Sequence, residues 1–149
     1  MRTVLGVIAG FFAMMVFTFG FSILPWFVVG VDGVLDPGTF TSVAWLNVYS
    51  LIIAGSGAAI GGYICGRIGR SKVGVIVLAV ISFGLGAMNA AGQHFKPDPG
   101  PRQPNTTVSE AIQARREPMW YTLAVPVIGV GGILIVGLIS ARNRPRERQ

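Results

Sequence analysis

A chain of 149 residues is enough for one domain, and its make-up excludes an ordinary soluble one. Hydrophobic residues make up 52% and charged residues 12%, with a mean hydropathy of +0.63, whereas soluble domains carry about 25% charge. The net charge of +6 gathers in short clusters, so the uncharged intervals between them hold the information.

Residues 3–31 contain no charge. A helix needs about 20 apolar residues to cross a bilayer's hydrocarbon core, and the pattern predicts a first span over 4–29. A secretory leader also starts basic and then apolar. This run, however, outlasts a leader core of roughly 7–15 residues, and no A-x-A-like site closes it. It reads as a retained helix. The next segment, VDGVLDPGTFTSV, has D-G and D-P-G turn signals and reads as a moderate loop.

The second uncharged interval, 37–66, predicts a span over 44–65. It runs into GSGAAIGGYICGRIGRSK, residues 55–72, which could suggest a phosphate-cradling loop. A dinucleotide fingerprint requires G-x-G-x-x-G after a strand, but the third position here is Ile60, and a Walker lysine motif is absent too. On a helix the same residues form two small stripes at i, i+4 spacing. One is Ala54, Ala58, Gly62 and Gly66; the other is Gly57, Gly61, Cys65 and Gly69. Small residues let helix backbones approach closely in lipid. Gly6 and Gly10 repeat the spacing in the first span, as do Gly86 and Ala90 in the third. These positions are the candidate helix-packing residues.

The short GRIGRSK turn makes the second and third spans an expected antiparallel hairpin. The third span is expected over 73–92. The segment 93–117 opens with proline-rich KPDPGPRQP and then places Thr107 and Glu110 at capping-box spacing, which predicts a short helix outside the membrane. The fourth span is expected over 119–141, with Pro126 inside it as a kink or hinge. Residues 142–149 form a basic tail. A β-barrel would show alternating strands of about ten residues, and VIVLAVISFGLGA does not alternate. The fold class is therefore an all-α, four-helix integral membrane bundle, a single domain over 1–149.

Orientation follows from charge. With four spans both termini share a side, which also holds Arg2, Arg67, Arg70, Lys72, Arg142, Arg144, Arg146 and Arg148. The other side holds only Lys96, Arg102, Arg115 and Arg116, together with five of the six acids. The positive-inside rule puts both termini in the cytoplasm, N-in and C-in, in a multi-pass protein of a bacterial inner membrane. Arg67, Arg70, Lys72 and the four tail arginines are the expected contacts to lipid headgroups. Trp26, Trp45 and Trp120 fall at the outer ends, where indoles settle in the headgroup belt.

Chemistry-bearing residues are sparse. No charge lies within a span, which argues against a proton-coupled pump. The single cysteine, Cys65, excludes an intrachain disulfide-exchanging pair and reads as a packing residue or an acylation site. His94 is the only histidine; it reads as interfacial, and with Asp98 it would make a weak metal contact at most. Asn105 opens a glycosylation sequon, which matters only in a secretory pathway. Asn47 and Asn89 lie 22 and 20 residues from Gly69 along neighbouring predicted helices, a rise of about 30–33 Å for each. Their similar depth suggests an interhelical polar contact.

Taken together, MRTVLGVIAGFFAMMV, VDGVLDPGTF and GGYICGRIGR resemble a group of small four-helix bacterial membrane proteins. The resemblance implies that fold; no activity is attached to the group, and no functional residue carries over. Small multidrug exporters keep a first-helix carboxylate, claudin-like proteins keep a cysteine pair in the first outer loop, and quinone-linked disulfide oxidases need several cysteines. All of these are missing here. Two functions survive. The first is a non-enzymatic accessory or scaffold subunit that packs through glycine-rich faces against another membrane protein or itself. The second is a small oligomeric channel or transporter for a neutral or weakly polar solute. No cofactor, metal or nucleic acid is expected; the partners are membrane lipids and protein.

Overall fold

The structure, a computed structural model, describes residues 1–142. It is helical: α1 (Arg2–Ser22), α2 (Leu24–Val28), α3 (Val31–Val34), α4 (Ala44–Gly69), α5 (Lys72–His94), α6 (Val108–Ala114) and α7 (Met119–Arg142). Two isolated bridges, Leu35 with Ser42 and Thr41 with Arg116, are the only strand-like pairings among the described residues. Four stretches are long and apolar enough to cross a membrane: Arg2–Val28, α4, α5 and α7. Their flanks expose large apolar side chains, such as Phe12 at 63% and Val80 at 66%, as a surface meant for lipid would.

The first stretch is broken where a single span over 4–29 was expected. Pro25 has no N–H, so the Phe21 carbonyl loses its helical donor, and α1 ends at Ser22. The Tyr49 hydroxyl from α4 donates to that carbonyl at 2.9 Å. The chain then turns through α2 and α3 into a small cap. Other bounds shift by four residues or fewer. The second long helix runs on to Gly69, and Arg70 closes it in the left-handed conformation, donating its N–H to Gly66 at 3.1 Å. Only Arg70 and Ser71 separate α4 from α5.

That tight turn does not make α4 and α5 close neighbours. α4 packs along α1 on one side and α7 on the other, α5 packs on α7, and α4 and α5 touch only sparsely. The expected hairpin therefore runs antiparallel with its arms on the bundle's diagonal. The reason is steric. A neighbour seats deepest where α4 has no side chains, and both of its glycine stripes are taken by other helices. A Cβ added to Gly6 would lie 2.5 Å from the Gly69 nitrogen, and one added to Gly10 would lie 2.5 Å from the Gly61 carbonyl oxygen. Along the neighbouring stripe, a Cβ on Gly62 would lie 2.6 Å from the Ile133 carbonyl oxygen, and one on Gly66 would strike that of Gly137. Backbone contact this close replaces the hydrophobic effect as the source of cohesion in lipid.

The core has two parts. In the bundle's middle, Ala58, Cys65, Val75, Leu78, Ala79 and Ile133 form one buried apolar cluster. At the loop end, Trp26, Val34, Leu35, Leu46 and Ala111 form another. Trp26 thus departs from the expected headgroup belt: it is 4% exposed and packs the cap from within, while Trp45 and Trp120 stay exposed. The α2 turn that follows the Pro25 break delivers it there.

Candidate functional site

The loop end holds nearly all of the protein's organised polar structure. α6 starts at a full capping box: the Thr107 hydroxyl accepts from the Glu110 N–H at 3.4 Å, and the Glu110 carboxylate accepts from the Thr107 N–H at 2.8 Å. Those Thr107 bonds hold the Glu110 carboxyl below its ordinary value. The helix presents Ala111 to the cap core. Extended chain on either side is stitched in by backbone bonds, from Arg102 to Gly38 at 3.0 Å before the helix, and from Arg116 to Phe40 at 2.8 Å and Ser42 to Arg116 at 3.1 Å after it.

Beneath this cap lies a polar cluster drawn from four separate segments. Asn47 is buried on the first turns of α4; its carbonyl oxygen accepts from the Ser42 hydroxyl at 2.7 Å and from the Arg115 guanidinium at 3.3 Å. Its own amide donates to the Ser42 carbonyl at 3.3 Å. Arg115 also pairs with Glu117 at 3.3 Å and lies over the Tyr121 ring, 5.9 Å from its centre. Both members of the Arg115–Glu117 pair are largely buried, with side chains 14% and 12% exposed. The Lys96 ammonium donates to the carbonyls of Gln113 and Arg115. Arg116 donates to the Lys96 carbonyl at 3.0 Å. Further out, Arg102 pairs with Asp32 at 2.8 Å.

The suggested Asn47–Asn89 contact is not made. Asn89 sits on an exposed face of α5, while Asn47 is committed to Ser42 and Arg115. α4 and α5 touch only sparsely, so their polar side chains are not brought together.

Beside the cluster, between the end of α5 and the start of α7, lies a cavity of about 710 Å³. Gln93, His94, Arg116 and Glu117 line its polar end; Phe83, Leu123 and Val127 line its apolar end. Gly86 lets α7 approach here, since an added Cβ would lie 3.0 Å from the Pro126 ring. α7 runs through Pro126 as one helix, and Pro126 cannot donate to the Thr122 carbonyl. Ala90 is half-buried on the cavity wall. Two lining residues keep buried polar atoms without a partner, Nε of Arg116 and Oε1 of Gln93.

The remaining candidates lie elsewhere. Ala58 meets Gly132 of α7, Gly57 meets the Thr18 hydroxyl of α1, Gly61 meets Gly10 and Met14, and Ala54 is half-buried. Arg67, Arg70, Lys72 and Arg142 are exposed together at the terminal end, where Arg67 also edges a smaller cavity of about 390 Å³. Arg144, Arg146 and Arg148 lie outside the described residues. No family model, curated protein or solved structure matches this chain.

Sequence reasoning missed Lys96, Arg115, Arg116 and Glu117 as a connected set, because RR beside E reads equally well as a solvated face. The signal that was present is position: the charges fall directly before the fourth apolar run. Burial raises the Glu117 carboxyl above its ordinary range, against the pull of Arg115 and Lys96. A raised folded value gives stability that is full below about pH 4.3, the unfolded value, and is lost as pH rises through the folded one. The stability of wild type relative to Glu117→Gln should therefore fall as pH rises from about 4.3. Paired thermal melts from pH 4 to pH 8 check this, and parallel profiles would contradict it.

Proposed function

We propose that the protein is a non-enzymatic accessory or scaffold subunit of a bacterial inner membrane, with both termini cytoplasmic and the cap facing outward. One observation carries this reading. The bundle's middle is closed by apolar side chains, and among the described residues the ion pairs and the side-chain hydrogen bonds that join separate elements gather at the cap end. An apolar middle of this kind disfavours a polar route through one protomer, while the cap presents a defined outer surface. The glycine faces of α4 are spent on α1 and α7 within the chain, so a partner would meet the exposed flanks or the cap. Purification from the native membrane in mild detergent tests the reading. A stoichiometric larger partner supports it; a homo-oligomer enclosing a hydrated path moves the assignment to the channel.

Orientation is tested separately, motivated by eight basic residues on the terminal side against four on the other. Single cysteines at Thr39 and Gln103, both exposed on cap loops, should react with an impermeant maleimide from outside. One at Ser71 should react only after the membrane is opened. Cys65 is buried and should stay silent. Labelling of Ser71 from outside would reverse the topology.

A further inference from the structure

We propose that the cavity between the terminal-side ends of α4 and α7 is a defined site for one anionic phospholipid, such as phosphatidylglycerol, with its phosphate on Arg67. The proposal depends only on the four apolar helices lying in a bilayer, not on the accessory reading.

The cavity follows from how α4 and α7 meet. A Cβ added to Gly66 would strike the Gly137 carbonyl and lie 3.1 Å from the Ser140 Cβ. The backbones touch there, so larger side chains beside the contact stand up as walls. Tyr63 and Arg67, one turn apart, come from α4; Val136, Ile139 and Ser140 come from α7. Together they bound about 390 Å³, within the usual 300–1,000 Å³ or so of small-molecule sites. Tyr63 and Ile139 are 49% and 56% exposed, so the wall is open on the side where acyl chains lie. Arg67 stands in the last turn of α4, the level at which an apolar stretch gives way to headgroups.

Charge identifies the occupant. Arg67 is exposed, and it makes no ion pair and no side-chain hydrogen bond among the described residues. The other charged side chains at this end of residues 1–142 are Arg2, Arg70, Lys72 and Arg142, all basic. The five acids within that range belong to the loop end, and Glu147 lies outside the described residues. A phosphodiester supplies the missing anion. Guanidinium suits phosphate geometry, and Tyr63 and Ser140 bring hydroxyl donors to the same cavity. Basic pockets between membrane helices hold anionic headgroups in this way. A choline or ethanolamine headgroup adds an ammonium, which would meet further cations and no carboxylate; a glycerol headgroup adds no charge. A soluble anion could use Arg67 but has no use for the apolar wall of Val136 and Ile139, along which a lipid lays an acyl chain.

Native mass spectrometry of the full chain, delipidated in detergent and given equal amounts of palmitoyl-oleoyl phosphatidylglycerol and phosphatidylcholine, tests this. One lipid per chain should be retained, with phosphatidylglycerol preferred by about fivefold, the worth of one basic residue facing an anionic headgroup. Arg67→Gln should erase the preference. Lys72→Gln removes an exposed cation at the same end but outside the cavity and should keep it. Ile139→Trp should fill the cavity and lower retention of both lipids severalfold with the melting point unchanged. Tyr63→Phe, which removes only a hydroxyl, should weaken both lipids should Ile139→Trp fail to fold. Excess inorganic phosphate should leave the bound lipid in place. Equal retention of the two lipids by wild type, or displacement by inorganic phosphate, overturns the lipid assignment. Equal losses in Arg67→Gln and Lys72→Gln, or wild-type retention by a folded Ile139→Trp, overturn the site.

Discussion

Gly62→Ala and Gly6→Ala should each lower the thermal midpoint in detergent, while Gly129→Ala and Gly131→Ala should raise it or leave it unchanged. All four changes add the same methyl group to a helix, and helix propensity favours alanine over glycine by about 1 kcal/mol. Only the surroundings differ. At position 62 the new Cβ would fall 2.6 Å from the Ile133 carbonyl oxygen and 2.8 Å from the Ile133 Cα. At position 6 it would fall 2.5 Å from the Gly69 nitrogen and 2.6 Å from its Cα. Carbon contacts are comfortable near 3.5–4.0 Å or so. The obstructing atoms are main chain, so no rotamer change relieves the clash and the helices must separate. Overpacking of this kind costs about 1–3 kcal/mol, which outweighs the propensity gain. Gly129 and Gly131 have no heavy atom within 4 Å of the added carbon, so the propensity term acts alone. Leucine at 62 should exceed alanine in damage. The two contacts, Gly6 on Gly69 and Gly62 on Ile133, share no partner and lie seven residues or about 10 Å apart along α4, so their costs should add. Equal midpoints for all four variants would mean that the close approach contributes nothing.

The i, i+4 spacing of those glycines was visible in the sequence because it belongs to one helix and depends on nothing else. The same holds for the uncharged intervals and for the capping box of Thr107 and Glu110, each a local pattern with a local physical cause. The break at Ile23 was equally local, since Pro25 announces it, but the length of the apolar run concealed it. The order in which helices pack is different. Neighbours in sequence are neighbours in space only about two-thirds of the time, and here two equivalent small stripes on α4 compete for three other helices. Nothing in the spacing says which helix takes which stripe. The cap network lay further from view. Ser42, Asn47, Lys96 and Arg115 meet only after the chain has crossed the bundle several times, and each one alone reads as an ordinary polar residue in a loop or at a helix end.

That network supports the second large effect. Arg115→Leu should destabilise the cap by about 3–5 kcal/mol near pH 8, the range for removing one partner of a buried pair, and by less near pH 5. The arginine serves three neighbours at once: the Glu117 carboxylate at 3.3 Å, the Asn47 carbonyl oxygen at 3.3 Å and the Tyr121 ring at 5.9 Å. Without it, Asn47 keeps Ser42, but Glu117 is left in a site where burial already favours the neutral acid. Its value rises further once the positive charge is gone. At pH 8 the carboxyl must then either stay charged and unpaired or hold a proton against the solvent, and both cost stability. At pH 5 the proton is available and part of the penalty disappears. Arg115→Leu combined with Glu117→Leu removes both charges and should recover much of the loss at pH 8, because a buried pair replaced by apolar groups is often neutral. Trp26, buried in the cap, reports the outcome: its emission should shift to the red in the single variant at pH 8 and return toward wild type in the double. Losses that simply add in the double variant, or a single variant indifferent to pH, would show that Arg115 and Glu117 do not act as a pair.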